Sequence, residues 1–184
     1  LGAMVKFAIQ KFKFDPDAFV HELVDSIIGD NYPVPDRMLV HNERIVHEYL
    51  MWAMCGEPHP GGKFDIYAVE GGTAAMCYIF KSLKANRLLF PGDTIALGTP
   101  IFTPYIEMTH LEDYALKVVN IAAPQENRFQ YSDAELKKLE DPKIKAFFIV
   151  NPGNPTGMAM SRETIAKLVN LVKTKRPDLM LLTD

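Results

Sequence analysis

Residues Phe147-Phe148-Ile149-Val150-Asn151-Pro152-Gly153-Asn154-Pro155-Thr156-Gly157 decide how the rest of the chain is read. The apolar run at its start is a strand of the kind buried on both faces. The loop behind it can continue neither helix nor sheet: two prolines fix φ and remove donors, and two glycines admit conformations closed to other residues. Such a loop holds one exposed side chain, Asn154, rigidly beyond the carboxyl end of a strand. In an open α/β sheet that is where ligands bind.

Outward from this stretch, strand and helix alternate. Strands are expected at 64–69, 94–97, 116–121, 144–150 and 179–183. Helices are expected after Gly71-Gly72-Thr73 (with Met76, Ile79, Phe80 and Leu83 on one face) and at 104–113, 132–139 and 161–175. Ser132 and Glu135 have the spacing of a capping box. The alternation predicts an α/β fold, a mostly parallel sheet with helices on both faces. Ahead of it, apolar periodicity predicts helices over 17–28 and 42–54, joined by a proline-stiffened connector. The expected organisation is an N-terminal helical segment, 1–63, and an α/β region, 64–184.

Composition removes several functional classes. The chain has 184 residues, 48% hydrophobic and 23% charged, which is the profile of a soluble globular protein. A net charge of −3 provides no basic footprint for nucleic acid. No apolar run approaches the roughly eighteen residues a membrane span needs. Leu1-Gly2-Ala3-Met4 lacks the charged and apolar regions of a signal peptide, so a cytoplasmic location is expected. Cys55 and Cys77 have neither metal nor redox spacing and are expected to be buried thiols in a reducing compartment.

Two further features carry chemistry. Gly71-Gly72-Thr73 between a strand and a helix allows close backbone approach to an anion, with the helix N-terminus supplying N–H groups. There is no Gly-x-Gly-x-x-Gly, so a dinucleotide fingerprint is not supported. Asp184 ends an apolar strand, where a carboxylate is costly unless paired.

The loop resembles the Asn-Pro-x-Asn-Pro-Thr-Gly signature of fold-type I pyridoxal phosphate enzymes, the aminotransferase superfamily. The resemblance implies the large domain of that fold, incomplete at both ends, and pyridoxal 5′-phosphate as cofactor. It implies that Gly71, Gly72 and Thr73 bind the phosphate and that Phe102, in Thr99-Pro100-Ile101-Phe102-Thr103-Pro104-Tyr105, stacks on the ring. Tyr105 would support the aspartate that meets the pyridine nitrogen, Asp184, and Asn154 would donate to the phenolic oxygen. Asn151 and Thr156 are expected to hold the loop in shape. No catalytic residue is assigned, because the Schiff-base lysine is expected beyond Asp184, and the 184-residue chain alone is expected to be inactive.

More narrowly, residues 29–39, 70–76, 100–107 and 176–180 resemble the bifunctional aspartate aminotransferase/aspartate 4-decarboxylase family. This implies action on aspartate, by 4-decarboxylation to alanine or transamination to oxaloacetate. It also implies small amino-acid and 2-oxo-acid substrates and a homo-oligomer. The loop Asn-Pro-Gly-Asn-Pro-Thr-Gly is nearer the general aminotransferase signature, which leaves open an aminotransferase for another amino acid. A non-catalytic, ligand-sensing aminotransferase-like domain ranks behind both, since 1–63 carries no basic helix-turn-helix pattern.

Overall fold

The computed structural model describes residues 2–13, 15–21, 24, 49, 67 and 69–184. The chain forms two compact units, Leu1–Val69 and Glu70–Asp184.

In the first unit, helix α1 spans Gly2–Phe12. It is not among the helices expected from the sequence; Phe7 and Phe12 on it are more than half exposed. A second helical stretch begins at Pro16. Asp15 is its cap, accepting from the Ala18 N–H at 2.8 Å, and Pro16 takes the first helical position, where its missing donor does no harm. The remainder of the expected helix 17–28, apart from 17–21 and 24, lies outside the described residues. So do the connector, nearly all of the helix 42–54 and most of the strand 64–69.

The second unit contains α2 (Gly72–Ala85), β1 (Thr94–Thr99), α3 (Thr103–His110), β2 (Lys117–Ala122), α4 (Asp133–Lys137), β3 (Ile144–Ile149), α5 (Arg162–Thr174) and β4 (Met180–Thr183). The four strands form one sheet in the order β2-β1-β3-β4, and every pairing is parallel. Helix α3 ends at His110, three residues before the expected end, and residues 111–114 turn back toward β2. Thereafter the chain needs one extra residue in β3: Thr94 pairs with Ile144 but Ala96 with Phe147. This bulge places Ile144 and Phe147 on the same face.

Connection geometry explains the two layers. From β1 the chain steps one way to β2, then crosses back over β1 to β3 and continues the same way to β4. Parallel crossovers are right-handed, so connections running in opposite directions must cover opposite faces. The core agrees. Met76, Phe80 and Leu83 of α2 and Tyr105 of α3 pack with Ile95, Leu97 and Phe148. Leu136 of α4 and Leu168 and Leu171 of α5 pack with Ala96, Phe147 and Ile149 on the other side. Cys77 belongs to neither layer: it is exposed, contrary to the buried thiol expected, because it lies about 100° round the helix from Met76. Cys55 is outside the described residues.

The reversal of direction has one consequence for ligands. Connections leave β1 and β3 in opposite senses, so a crevice opens between their carboxyl ends. The Thr99-Pro100 turn and the Asn151–Gly157 loop border it, and both begin with an X–Pro peptide that is cis.

Candidate active site at the carboxyl edge of the sheet

Helix α2 brings its first turn to this edge. Its other end lies at the opposite edge, where Lys84 Nζ meets Asp113 Oδ1 at 3.2 Å, just ahead of β2. Fourteen residues of helix span about 21 Å, enough to run back along the strands. Gly71 is the N-cap with φ 102°, a conformation that favours glycine, and no side chain caps this end. A Cβ at Gly71 or Gly72 would meet nothing within 4 Å. Gly71, Gly72 and Thr73 are all exposed, so the first-turn N–H groups face open space.

Phe102 follows β1 and is the N-cap of α3. Its ring is half-buried against the α2–α3 side of the core. One turn on, Tyr105 is buried between α3 and the sheet, with its ring centroid 5.9 Å from that of Phe148. Its hydroxyl donates to Asp184 Oδ2 at 3.1 Å. Burial pushes the Tyr105 hydroxyl well above its ordinary range, and the neighbouring Asp184 charge adds to the effect. Tyr105 therefore stays protonated, as a donor to that carboxylate must.

Asp184 continues the ladder beyond β4. Its N–H donates to the Ile149 carbonyl at 2.9 Å, and its carbonyl accepts from the Asn151 N–H at 2.9 Å. The two bonds fix its backbone beside the start of the Asn154 loop.

That loop is tied to itself at several points. Asn151 Oδ1 accepts from the Met160 N–H at 2.9 Å, and the Thr156 hydroxyl accepts from the Met158 N–H at 3.2 Å. Gly153 and Met158 are bonded through their backbones at 2.9 Å. A Cβ at Gly153 would collide with the Thr156 hydroxyl, so only glycine fits. Asn154, in contrast, is exposed and its carboxamide bonds no group among the described residues. The loop spends Asn151 and Thr156 on its own shape and leaves Asn154 free.

The structure thus brings Gly71, Gly72, Thr73, Phe102, Tyr105, Asn154 and Asp184 to the same edge, although their positions span more than a hundred residues of sequence. Sequence reasoning missed Gln130, whose side chain anchors the far end of the Asn154 loop. It lies well upstream in a segment with no periodic pattern, so no local signal marks it. Among the described residues no cluster of His, Cys, Asp or Glu could hold a metal ion, and no helix is long and apolar enough to cross a membrane.

Comparison with known proteins places this architecture. Residues 68–184 match the model of the family "Aminotransferase class I and II". A bifunctional aspartate aminotransferase and L-aspartate beta-decarboxylase from Pseudomonas sp is 50% identical over 184 residues, all of this chain and 35% of that protein. A probable aspartate/prephenate aminotransferase from Rhizobium leguminosarum is 33% identical over 113 residues, 61% of this chain and 27% of that protein. The chain thus spans about a third of the length of the curated relatives it matches. Cystalysin from Treponema denticola, whose crystal structure contains pyridoxal 5′-phosphate, superposes with a TM-score of 0.62 at 18% identity. That superposition covers 89% of this chain and 40% of cystalysin, and it supports the fold. The chain belongs to the class I and II aminotransferase family.

Proposed function

We propose that the chain is part of a pyridoxal phosphate-dependent enzyme acting on aspartate, by 4-decarboxylation to alanine, by transamination to oxaloacetate, or by both. The observation that carries the reading is the Tyr105 hydroxyl on Asp184 at the carboxyl edge, beside an uncapped helix N-terminus. Full-chain identity of 50% to a protein of that description supports aspartate as the substrate.

The residues present fit the cofactor. The α2 N-terminus, free of Cβ atoms at Gly71 and Gly72, suits a phosphate, with the Thr73 hydroxyl as a further donor. Phe102 offers a half-buried aromatic face to the ring. Asp184 has one oxygen engaged by Tyr105, and its Oδ1 remains for a protonated pyridine nitrogen. The unengaged Asn154 amide suits the phenolic oxygen. Bound there, pyridoxal phosphate would supply an electron sink for the carbanion formed at the substrate Cα. This chain's contribution is to hold a proton at the ring nitrogen through Asp184 and to fix the ring's position through Phe102 and Asn154.

In this reading 1–63 is an N-terminal segment and 64–184 the first half of the cofactor-binding domain. The whole protein works in the cytoplasm as a homo-oligomer on amino-acid and 2-oxo-acid substrates. Likeness of the loop to the general signature favours, as second reading, an aminotransferase for another amino acid. The test is the full-length protein with pyridoxal phosphate and aspartate, following alanine and CO₂, then oxaloacetate with a 2-oxo-acid acceptor. Alanine and CO₂, oxaloacetate, or both support the first reading; amino transfer from another amino acid with none from aspartate supports the second. No turnover of aspartate in either assay sinks the first reading.

A further inference from the structure

The Gln130 carboxamide has four hydrogen-bonding positions, two donors and two acceptors, and all four are filled. Nε2 donates to the Arg128 carbonyl at 3.1 Å and to the Ala159 carbonyl at 3.1 Å. Oε1 accepts from the Ser161 N–H at 2.7 Å and from the Thr164 hydroxyl at 3.1 Å. The backbone of Gln130 is itself held: its N–H donates to Asn127, and its carbonyl accepts from Asn127 Nδ2 at 2.7 Å.

These bonds have a pattern. Ala159 and Ser161 both turn a backbone group to Gln130, whereas Met160, between them, donates its N–H to Asn151 Oδ1 at 2.9 Å. Alternation of this kind is that of a strand between two neighbours. Here two side-chain amides take the place of the neighbours. Asn151 closes the loop onto its own start, and Gln130 fastens its end to the 124–131 segment and to the first turn of α5. Ser161 caps α5 by accepting from the Thr164 N–H at 3.1 Å, so the same carboxamide also touches both members of that cap.

We infer that Gln130 is a positioning residue, setting where the 151–160 loop presents Asn154 at the carboxyl edge. Its relevance to chemistry rests on the function proposed above, but its effect on the loop does not. No other single side chain among the described residues bonds both Ala159 and Ser161. Side chains without all four positions cannot replace it.

The experiment uses the full-length protein and the near-isosteric variant Gln130→Met, which keeps the chain and removes every bond. In the cofactor-free protein, amide hydrogen exchange is read at Gly153, Gly157 and Met160, none of which bonds Gln130. Each is expected to exchange at least fivefold faster. A purely local role would accelerate Ser161 alone, and that result overturns the inference. In the cofactor-loaded protein, the midpoint of the pH-dependent change in cofactor absorbance is compared with that of Asn154→Ala. Both variants are expected to move it upward, because loss of a donor to the phenolic oxygen strengthens proton binding nearby. A shift in Asn154→Ala with none in Gln130→Met also overturns the inference. An unmoved midpoint in Asn154→Ala sinks the role proposed for Asn154 instead, and the exchange rates then decide for Gln130. Should Gln130→Met fail to fold, Gln130→Glu, which retains the acceptors, carries the same two readouts.

Discussion

The Tyr105 hydroxyl donates to Asp184 Oδ2 at 3.1 Å, joining residues 79 positions apart. Tyr105 sits on the helix after β1 and Asp184 just after β4, while β3 runs between those strands. The bond therefore passes over the end of the strand from which the Asn154 loop departs. One oxygen of the carboxylate is fixed by a buried donor, and the orientation of the other follows from it.

If the proposed function holds, Tyr105→Phe in the full-length protein is expected to lower turnover of aspartate roughly ten- to a hundredfold. A hydrogen bond to a charged group contributes about 1.5–3 kcal/mol, and each 1.36 kcal/mol is tenfold in rate. Asp184→Ala should lose more, because it removes the carboxylate itself and not only the bond that orients it. Cofactor occupancy should be retained in both, as the α2 N-terminus is untouched. Steady-state kinetics with an absorbance check on the cofactor decides it. An Asp184→Ala enzyme that holds the cofactor and works within tenfold of wild type would remove Asp184 from the proposed role.

Sequence carried the architecture where a segment's own pattern sufficed. The apolar run into the Asn151–Gly157 loop announced β3 and its turn, and alternation announced the parallel sheet. The capping box was half legible. Ser132 does accept from the Glu135 N–H at 3.2 Å, but the Glu135 carboxylate accepts from the Ala122 N–H at the end of β2 and from Lys138. A tertiary demand, satisfying the last donor of a strand, redirected a side chain that the local motif assigned elsewhere. Cys77 was misread because apolar character alone does not give helix phase. Gln130 and Arg176 act through partners about thirty or more residues away, and spacing rules do not reach that far.

Gly98 in the middle of the sheet is required by Tyr131. A Cβ there would collide with the Tyr131 hydroxyl, which packs against β1 from the opposite layer to Tyr105. Gly98→Ala is expected to destabilise by about 1–3 kcal/mol, the range for overpacking a filled core. Tyr131→Phe removes the colliding atom, and the hydroxyl has no hydrogen-bond partner among the described residues. The ring carbon that bore the hydroxyl stays 3.0 Å from the added Cβ, so the double variant should recover part of the loss. Urea midpoints of the two single variants and the double variant test the coupling. Additive losses would mean the contact does not exist in solution.

Arg176 is 4% exposed and closes the base of the sheet. Its Nη1 donates to the Leu139 carbonyl at 2.7 Å and also to Asp141, its Nη2 donates to the Ile144 carbonyl at 2.7 Å, and Asp178 accepts from Nε and Nη2. Arg176→Met leaves three carbonyls without this donor and is expected to cost on the order of 3–5 kcal/mol. Arg176→Lys should fall between, because an ammonium cannot present the planar fork. Denaturant unfolding gives both values. A methionine variant within about 1 kcal/mol of wild type would show that solvent satisfies those carbonyls.

Alkaline pH should unfold the second unit through its tyrosines. Burial pushes the Tyr131 hydroxyl from its ordinary value of 10.0 up to about 12, and Tyr105 is raised further by burial and by Asp184. A folded-state value above the unfolded one means that the native state binds the proton more tightly. Below pH 10 both states are protonated and the stabilisation is fully present. Between about 10 and 12 the unfolded chain ionises while native Tyr131 does not, so stability falls with rising pH. At 1.36 kcal/mol per unit, Tyr131 alone accounts for ~2–3 kcal/mol over that window. Tyr131→Phe has no proton to lose, so its stability should decline less steeply from pH 10 to 12, and combining it with Tyr105→Phe should flatten the curve further. The measurement is urea unfolding at closely spaced pH values for wild type and both variants. Superimposable pH dependences would mean that neither hydroxyl is buried as the structure has it.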